Sequence, residues 1–155
     1  MNAQVNEVAY TQSTTVRRKK LRSPLDAAVA SLCQQIRQNP AHPLTLVDME
    51  RISGFSRRSL ENEFHRQYGC SPVKWQQTER LSQAREYITA ETGKVVISEV
   101  AQEYGFASAS KFIAYYKRFF GETPKDTAIR MRYVRKKGDG GLHHTRIGQE
   151  ILAAE

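Results

Sequence analysis

One stretch of this chain occurs twice, and that repeat limits the folds open to it more than any other feature. GFSRRSLENEFHRQYGCSP begins at Gly54 and GFASASKFIAYYKRFFGETP begins at Gly105. From Ser56 and Ser108 onward the register holds at an offset of 52 residues. Leu60 then matches Phe112, Phe64 matches Tyr116, Arg66 matches Arg118 and Tyr68 matches Phe120, with Gly69 on Gly121 and Pro72 on Pro124. A short apolar-periodic segment precedes each copy, at 46–52 and 97–104. A repeat of this kind means one supersecondary unit used twice.

The residues of each copy dictate its local form. Gly54 and Gly105 stand where a helix must end and reverse, a place for positive φ. Ser56 and Ser108 are placed to cap the next helix. Within it Leu60, Phe64 and Tyr68 form one stripe, as do Phe112, Tyr116 and Phe120. Gly69 and Gly121 close it, and Ser-Pro or Thr-Pro opens the next segment. A short helix, a tight glycine turn and a longer helix with a polar outer face make the helix-turn-helix plan.

Around the repeats, Ser23 and Pro24 start a helix that carries Leu25, Val29, Leu32, Cys33 and Ile36 at three- and four-residue steps. Asn39-Pro40 and Pro43 end it. Between the copies, 72–89 reads as a connecting helix with Val73, Trp75, Leu81, Ala84, Tyr87 and Ile88 inward. At 1.5 Å per residue it is a rod of roughly 27 Å, against about 34 Å between adjacent major-groove faces of B-DNA. The expected architecture is all-α, about seven helices. Residues 1–22 form a disordered basic arm, 23–71 the first helix-turn-helix subdomain, 72–89 the connector, 90–132 the second subdomain and 133–155 a basic flexible tail. Within that tail 138–144 is a flexible link, and TRIGQEILAAE forms a short helix that is either a frayed end or a partner contact.

Laid out in this way, the residues resemble the C-terminal DNA-binding domain of the AraC/XylS family of bacterial regulators, from about Pro24 to Arg132. VISEVAQEYGFASASKFIAYYKRFFGETP carries the match almost throughout: Val100-Ala101, Gly105-Phe106, Phe112, Tyr116-Lys117, and Gly121 before Thr123-Pro124. Arg80, Leu81 and Ala84 also stand where family members place Arg, Leu and Ala. One departure is Glu50 in the slot held by Ala101 in the second copy. It leaves two outcomes open, an outward side chain or a differently packed first unit. Most family members also carry an effector-binding or dimerisation domain, so the chain resembles either a short stand-alone member or part of a longer regulator.

The resemblance implies which side chains meet DNA. In the first reading helix Arg58, Glu61 and Asn62 face outward, with Arg57 and Ser59 beside them. Arginine can take both acceptors of guanine, asparagine pairs with adenine, and glutamate accepts from cytosine. In the second, the same slots hold Ala109, Ser110, Lys111 and Ala114. Lys111 is the only long donor of that set, and the alanines offer little beyond a thymine-methyl contact. The first helix is thus expected to discriminate and the second to position. Arg66, Lys74, Lys117 and Arg118 are the phosphate candidates in the core, with Ser56 and Ser108 at the helix starts.

Charge fits that division. The formal net charge is +8, suited to a polyanionic partner. Arg17, Arg18, Lys19, Lys20 and Arg22 form one basic group; Arg130, Arg132, Arg135, Lys136 and Lys137 form another. Without those ten, the remaining 14 basic and 16 acidic side chains nearly cancel. The two groups are therefore expected to act as arms for sequence-independent phosphate contact.

Other features read plainly. Trp75, Tyr115 and Phe119 fall at helical spacing and are assigned to core packing. Cys33 and Cys70 lack metal-ligand spacing, Cys33 reads as a small hydrophobe, and His143-His144 has no further ligands nearby. Neither cysteine has the electropositive setting of a reactive thiol, so no enzyme, cofactor or metal is expected. No apolar run reaches the roughly 20 residues of a membrane span, and a cytoplasmic protein is the simplest reading. The expected partner is double-stranded promoter DNA. The resemblance adds RNA polymerase and a regulatory protein or missing sensor domain. The competing reading is an interaction module that binds another transcription factor or a chaperone, its DNA contacts residual.

Overall fold

Six of the seven described helices begin where a serine or threonine side chain accepts a free backbone N–H. The computed structural model describes residues 23–139, and among these there are seven helices. Helix α1, Pro24–Gln38, starts at Ser23, whose side chain accepts the Asp26 N–H. Helix α2, Leu46–Ser53, opens on a reciprocal box between Thr45 and Asp48. Helix α3, Arg57–Tyr68, is capped by Ser56, and α4, Pro72–Ala90, by Ser71. Helix α5, Ile97–Glu103, has no side-chain cap; α6, Ala109–Phe120, is capped by Ser108. Helix α7, Pro124–Asp139, follows a second reciprocal pair, Thr123 with Asp126. The chain reverses after α2 at Gly54, with φ of 73°, and after α5 at Gly105, with φ of 71°.

The connecting helix α4 serves two cores. Trp75, at its start, packs with Val29, Leu32, Cys33 and Ile36 of α1, Met49 of α2, and Leu60 and Phe64 of α3. Leu81, Ala84 and Ile88, further along, pack with Val100 and Ala101 of α5, Phe106, and Phe112, Tyr116 and Phe119 of α6. The inner surface of α4 is therefore not one apolar stripe. Gln76, Glu79, Arg80 and Ser82 are also buried, and each has partners. Gln76 bonds both the N–H and the carbonyl of Leu44, and Glu79 accepts from Arg37 at 2.8 Å. Two of the side chains expected to face inward do not, since Val73 is 47% exposed and Tyr87 37% exposed. A stripe drawn for a helix with one covered side misplaces them, because α4 is covered on different sides along its length. Tyr115, expected in the core, is also exposed, its ring tilted against Phe106 at 6.4 Å between centres.

Helix α7 runs past the expected end of the second subdomain at Arg132 to Asp139, so 133–139 is helical rather than flexible. Its basic residues explain the extension. Arg135 donates to the carbonyls of Thr89 and Glu91, and Arg132 donates to Gly93 O at 2.9 Å. These are carbonyls at and just beyond the C-terminal end of α4, where a cation is favoured. Arg130 pairs with Glu122. Three of the five residues expected to form a phosphate arm thus tie α7 to its neighbours. The basic group at 17–22, His143-His144 and the closing segment TRIGQEILAAE lie outside the described residues.

Candidate nucleic-acid interface

Helix α3 presents one face of its first two turns to solvent, on a buttressed base. The Arg57 N–H donates to Glu50 Oε1 at 2.5 Å, and the Arg57 guanidinium donates to Glu61 Oε1 at 2.9 Å. The Ser56 and Ser59 hydroxyls meet at 3.0 Å. Arg58 and Asn62 are exposed and, among the described residues, have no side-chain partner. The five sequence-derived positions therefore separate into two kinds. Arg58 and Asn62 are available for base edges, whereas Arg57, Ser59 and Glu61 already hold one another or the helix start. A carboxylate paired to arginine is also less repelled by phosphate than a bare one.

Helix α6 has the same length and the same serine cap, but a barer surface. Lys111, Ser110 and Ala114 are exposed, and Ala109 is half-buried. Ile113 also reaches solvent, 36% exposed, next to Ala114. It was not among the sequence candidates, because on a helix with this strong apolar stripe an isoleucine reads as core.

The phosphate candidates divide in the same way. Lys74, Lys117 and Arg118 are exposed, with no ion pair among the described residues. Arg66 donates to Glu63 Oε2 at 2.9 Å and to Asp26 Oδ1 at 2.7 Å, tying α3 to α1. Its hydrogen bonds, with those of Gln67, hold the Glu63 carboxyl down at about 2. The equivalence of Arg66 and Arg118 in the repeat therefore does not extend to their contacts. Elsewhere, burial pushes the Cys33 thiol up to about 12 and raises that of Cys70, the reverse of an activated nucleophile.

Sequence reasoning noticed Glu50 but not its role. The structure turns it neither fully outward nor into a repacked core; it is half-buried and bonded to the start of α3. The Thr45-x-x-Asp48 spacing is the one sequence signal that marks the start of α2 as a capping box.

Residues 49–130 match the family described as a helix-turn-helix domain. The chain is 30% identical over 95 residues to the XylDLEGF operon transcriptional activator 2 of Pseudomonas putida, covering 61% of this chain and 60% of that protein. The chain belongs to the AraC/XylS family. A second relative, the RCS-specific HTH-type transcriptional activator RclR of Escherichia coli, is 31% identical over 110 residues, covering 71% of this chain and 38% of the other. Among solved structures, a transcriptional regulator with an AraC-type DNA-binding domain from Chromobacterium violaceum superposes with a TM-score of 0.62 at 28% identity. It covers 68% of this chain and 92% of that one. The chain spans between about a quarter and three fifths of the length of the first curated relatives it matches. The matched part is the family's helix-turn-helix DNA-binding domain. No helix among the described residues is long and apolar enough to cross a membrane.

Proposed function

We propose that this protein is a sequence-specific, non-enzymatic transcriptional regulator that inserts α3 and α6 into successive major grooves of one promoter duplex in the cytoplasm. The observation that carries this reading is the pairing of two 12-residue, serine-capped helices with exposed faces, one from each core borne by the 19-residue α4. Nineteen residues span roughly 28 Å, close to the helical repeat of the duplex once the width of the units is added. Arg58 and Asn62 read bases. Glu61 contributes through its pairing with Arg57, and Lys111 with Ser110 makes a weaker second reading set. Lys74, Ser108, Lys117 and Arg118 take phosphates, whereas Ser56 and Arg66 are assigned to holding α3 in place. Regulation through RNA polymerase, or through a sensor domain or partner protein, belongs to the same proposal.

Selection of bound duplexes from a random 30-base-pair pool, followed by affinity measurements across salt, tests it. The expected result is one asymmetric motif in two blocks about a helical turn apart, sharper in the block under α3. Recovery of no motif, with binding that vanishes steeply as salt rises, overturns sequence-specific reading by this chain.

A further inference from the structure

The two glycine turns share a backbone conformation and differ in what lies against them. At Gly54 a Cβ would meet nothing within 4 Å. At Gly105 it would lie 2.5 Å from the Pro40 carbonyl oxygen, 2.9 Å from that of Ala41 and 3.0 Å from Arg80 Nη1. Pro40 and Ala41 belong to the loop between α1 and α2, in the first subdomain, whereas Gly105 is the turn of the second. The two reading units therefore touch backbone to backbone at this point.

Arg80 holds the same point from below. It is 8% exposed, and its Nη1 donates to Gly105 O at 2.6 Å and to Tyr104 O at 3.3 Å. Its guanidinium stacks over Phe106 at 4.8 Å from the ring centre. Beside the contact the units stand apart around an open groove lined by Ala41, His42, Glu99, Gln102 and Glu103.

We infer that Gly105, clamped by Arg80 against the Pro40–Ala41 carbonyls, is a positioning residue that sets the separation of the two reading helices and hence the half-site spacing the protein accepts. The inference rests on the two-groove reading proposed above. Its physical basis is that backbone atoms, unlike the far end of a flexible side chain, cannot step aside. A methyl at Gly105 would force the units apart by about 1 Å to restore ordinary contact. One base pair more or less in the spacer moves a half-site by about 3.4 Å along the axis and turns it by about 35°. A junction without slack rejects that change, and a loosened one absorbs part of it.

The test compares Gly105→Ala with Gly54→Ala. Both place alanine at a φ near +70°, so both carry the same local strain, and only the first meets the neighbouring unit. Each variant, as the full chain, is assayed for folding by circular dichroism. Binding is then measured to the selected duplex and to duplexes with one base pair added or removed between the blocks. Gly54→Ala should keep the wild-type preference for the selected spacing. Gly105→Ala should discriminate against the altered spacings about tenfold less. A single glycine inserted after Ala41, which slackens the contact without a clash, should broaden the preference in the same direction and serves if Gly105→Ala does not fold. Unchanged spacing preference in folded Gly105→Ala, or in the insertion variant where the former does not fold, overturns the inference. A wild-type protein that binds the selected duplex yet ignores spacing also overturns it, together with the two-groove reading; loss of preference in both alanine variants alike assigns the effect to turn strain and refutes the junction.

Discussion

Glu50 Oε1 accepts the backbone N–H of Arg57 at 2.5 Å, so a side chain of α2 satisfies the first free N–H of α3, the helix proposed to read bases. The helix start is where a DNA phosphate would otherwise be drawn, and here a carboxylate of the protein's own chain occupies it. Glu50→Gln keeps an oxygen for the N–H and removes the negative charge. We expect stability to change by no more than about 1 kcal/mol and affinity for unrelated duplex to rise roughly two- to fivefold at low salt, a gain that fades at high salt. Fluorescence anisotropy with one non-cognate duplex at two salt concentrations measures it, and equal affinities at low salt would refute it.

Arg58 and Lys111 should differ in kind when removed. Arg58→Ala is expected to cost about 1–3 kcal/mol on the selected duplex and to relax preference at one base pair. Lys111→Ala should weaken binding to cognate and non-cognate duplex by similar factors and lower the salt slope by about one counterion. Base-by-base substitution of the selected site, repeated with each variant, distinguishes them.

The Glu63 carboxyl, held down to about 2 chiefly by hydrogen bonds from Arg66, makes stability depend on acid. The folded protein binds this proton less readily than the unfolded chain, whose glutamate titrates near the ordinary 4.5. Its contribution is therefore complete above pH 4.5 and is lost as pH falls from there toward 2. Urea midpoints across pH 2–7 should decline through that window, and the decline should be shallower in Glu63→Gln. Identical slopes for the two proteins would assign the acid sensitivity elsewhere.

Tyr116 and Thr127 bond at 2.9 Å in the second core, where both side chains are fully buried. The Thr127 hydroxyl can donate to Glu122 Oε1 at 2.8 Å while accepting from Tyr116. Tyr116→Phe removes one donor and leaves Thr127 served, at an expected cost of about 1 kcal/mol. Thr127→Val strands the tyrosine hydroxyl and should cost more, about 1–3 kcal/mol. Thermal unfolding of the two variants gives the order, and the reverse order would show that the hydroxyl of Tyr116 finds another partner.

The architecture was legible because most of its helix starts and turns are written in local chemistry. Ser23, Ser56 and Ser108 cap as their positions require, and Gly54, Gly69, Gly105 and Gly121 all take positive φ. What the sequence hid is long-range. Val73 and Tyr87 were misplaced because no pattern along α4 tells which side each core will cover. Arg66 and Arg118 occupy equivalent places in the repeat, yet only Arg66 has Asp26, forty residues away in the chain, within reach. Arg132 and Arg135 read as free cations until the fold brings the carbonyls that follow α4 against them. Charge and period are properties of a segment; the partner of a charge is a property of the packed molecule.

Because Trp75 belongs to one core and Leu81, Ala84 and Ile88 to the other, α4 is a single hydrogen-bonded rod whose two halves are protected by different neighbours. Local opening follows the packing that covers a segment. Amide protons on the Trp75 side of Glu79 and Arg80 should then exchange with the opening of α1–α3, and those on the Ile88 side with that of α5–α7. One helix would carry two solvent-exchange lifetimes, and the step between them would fall where the polar residues of α4 separate the cores.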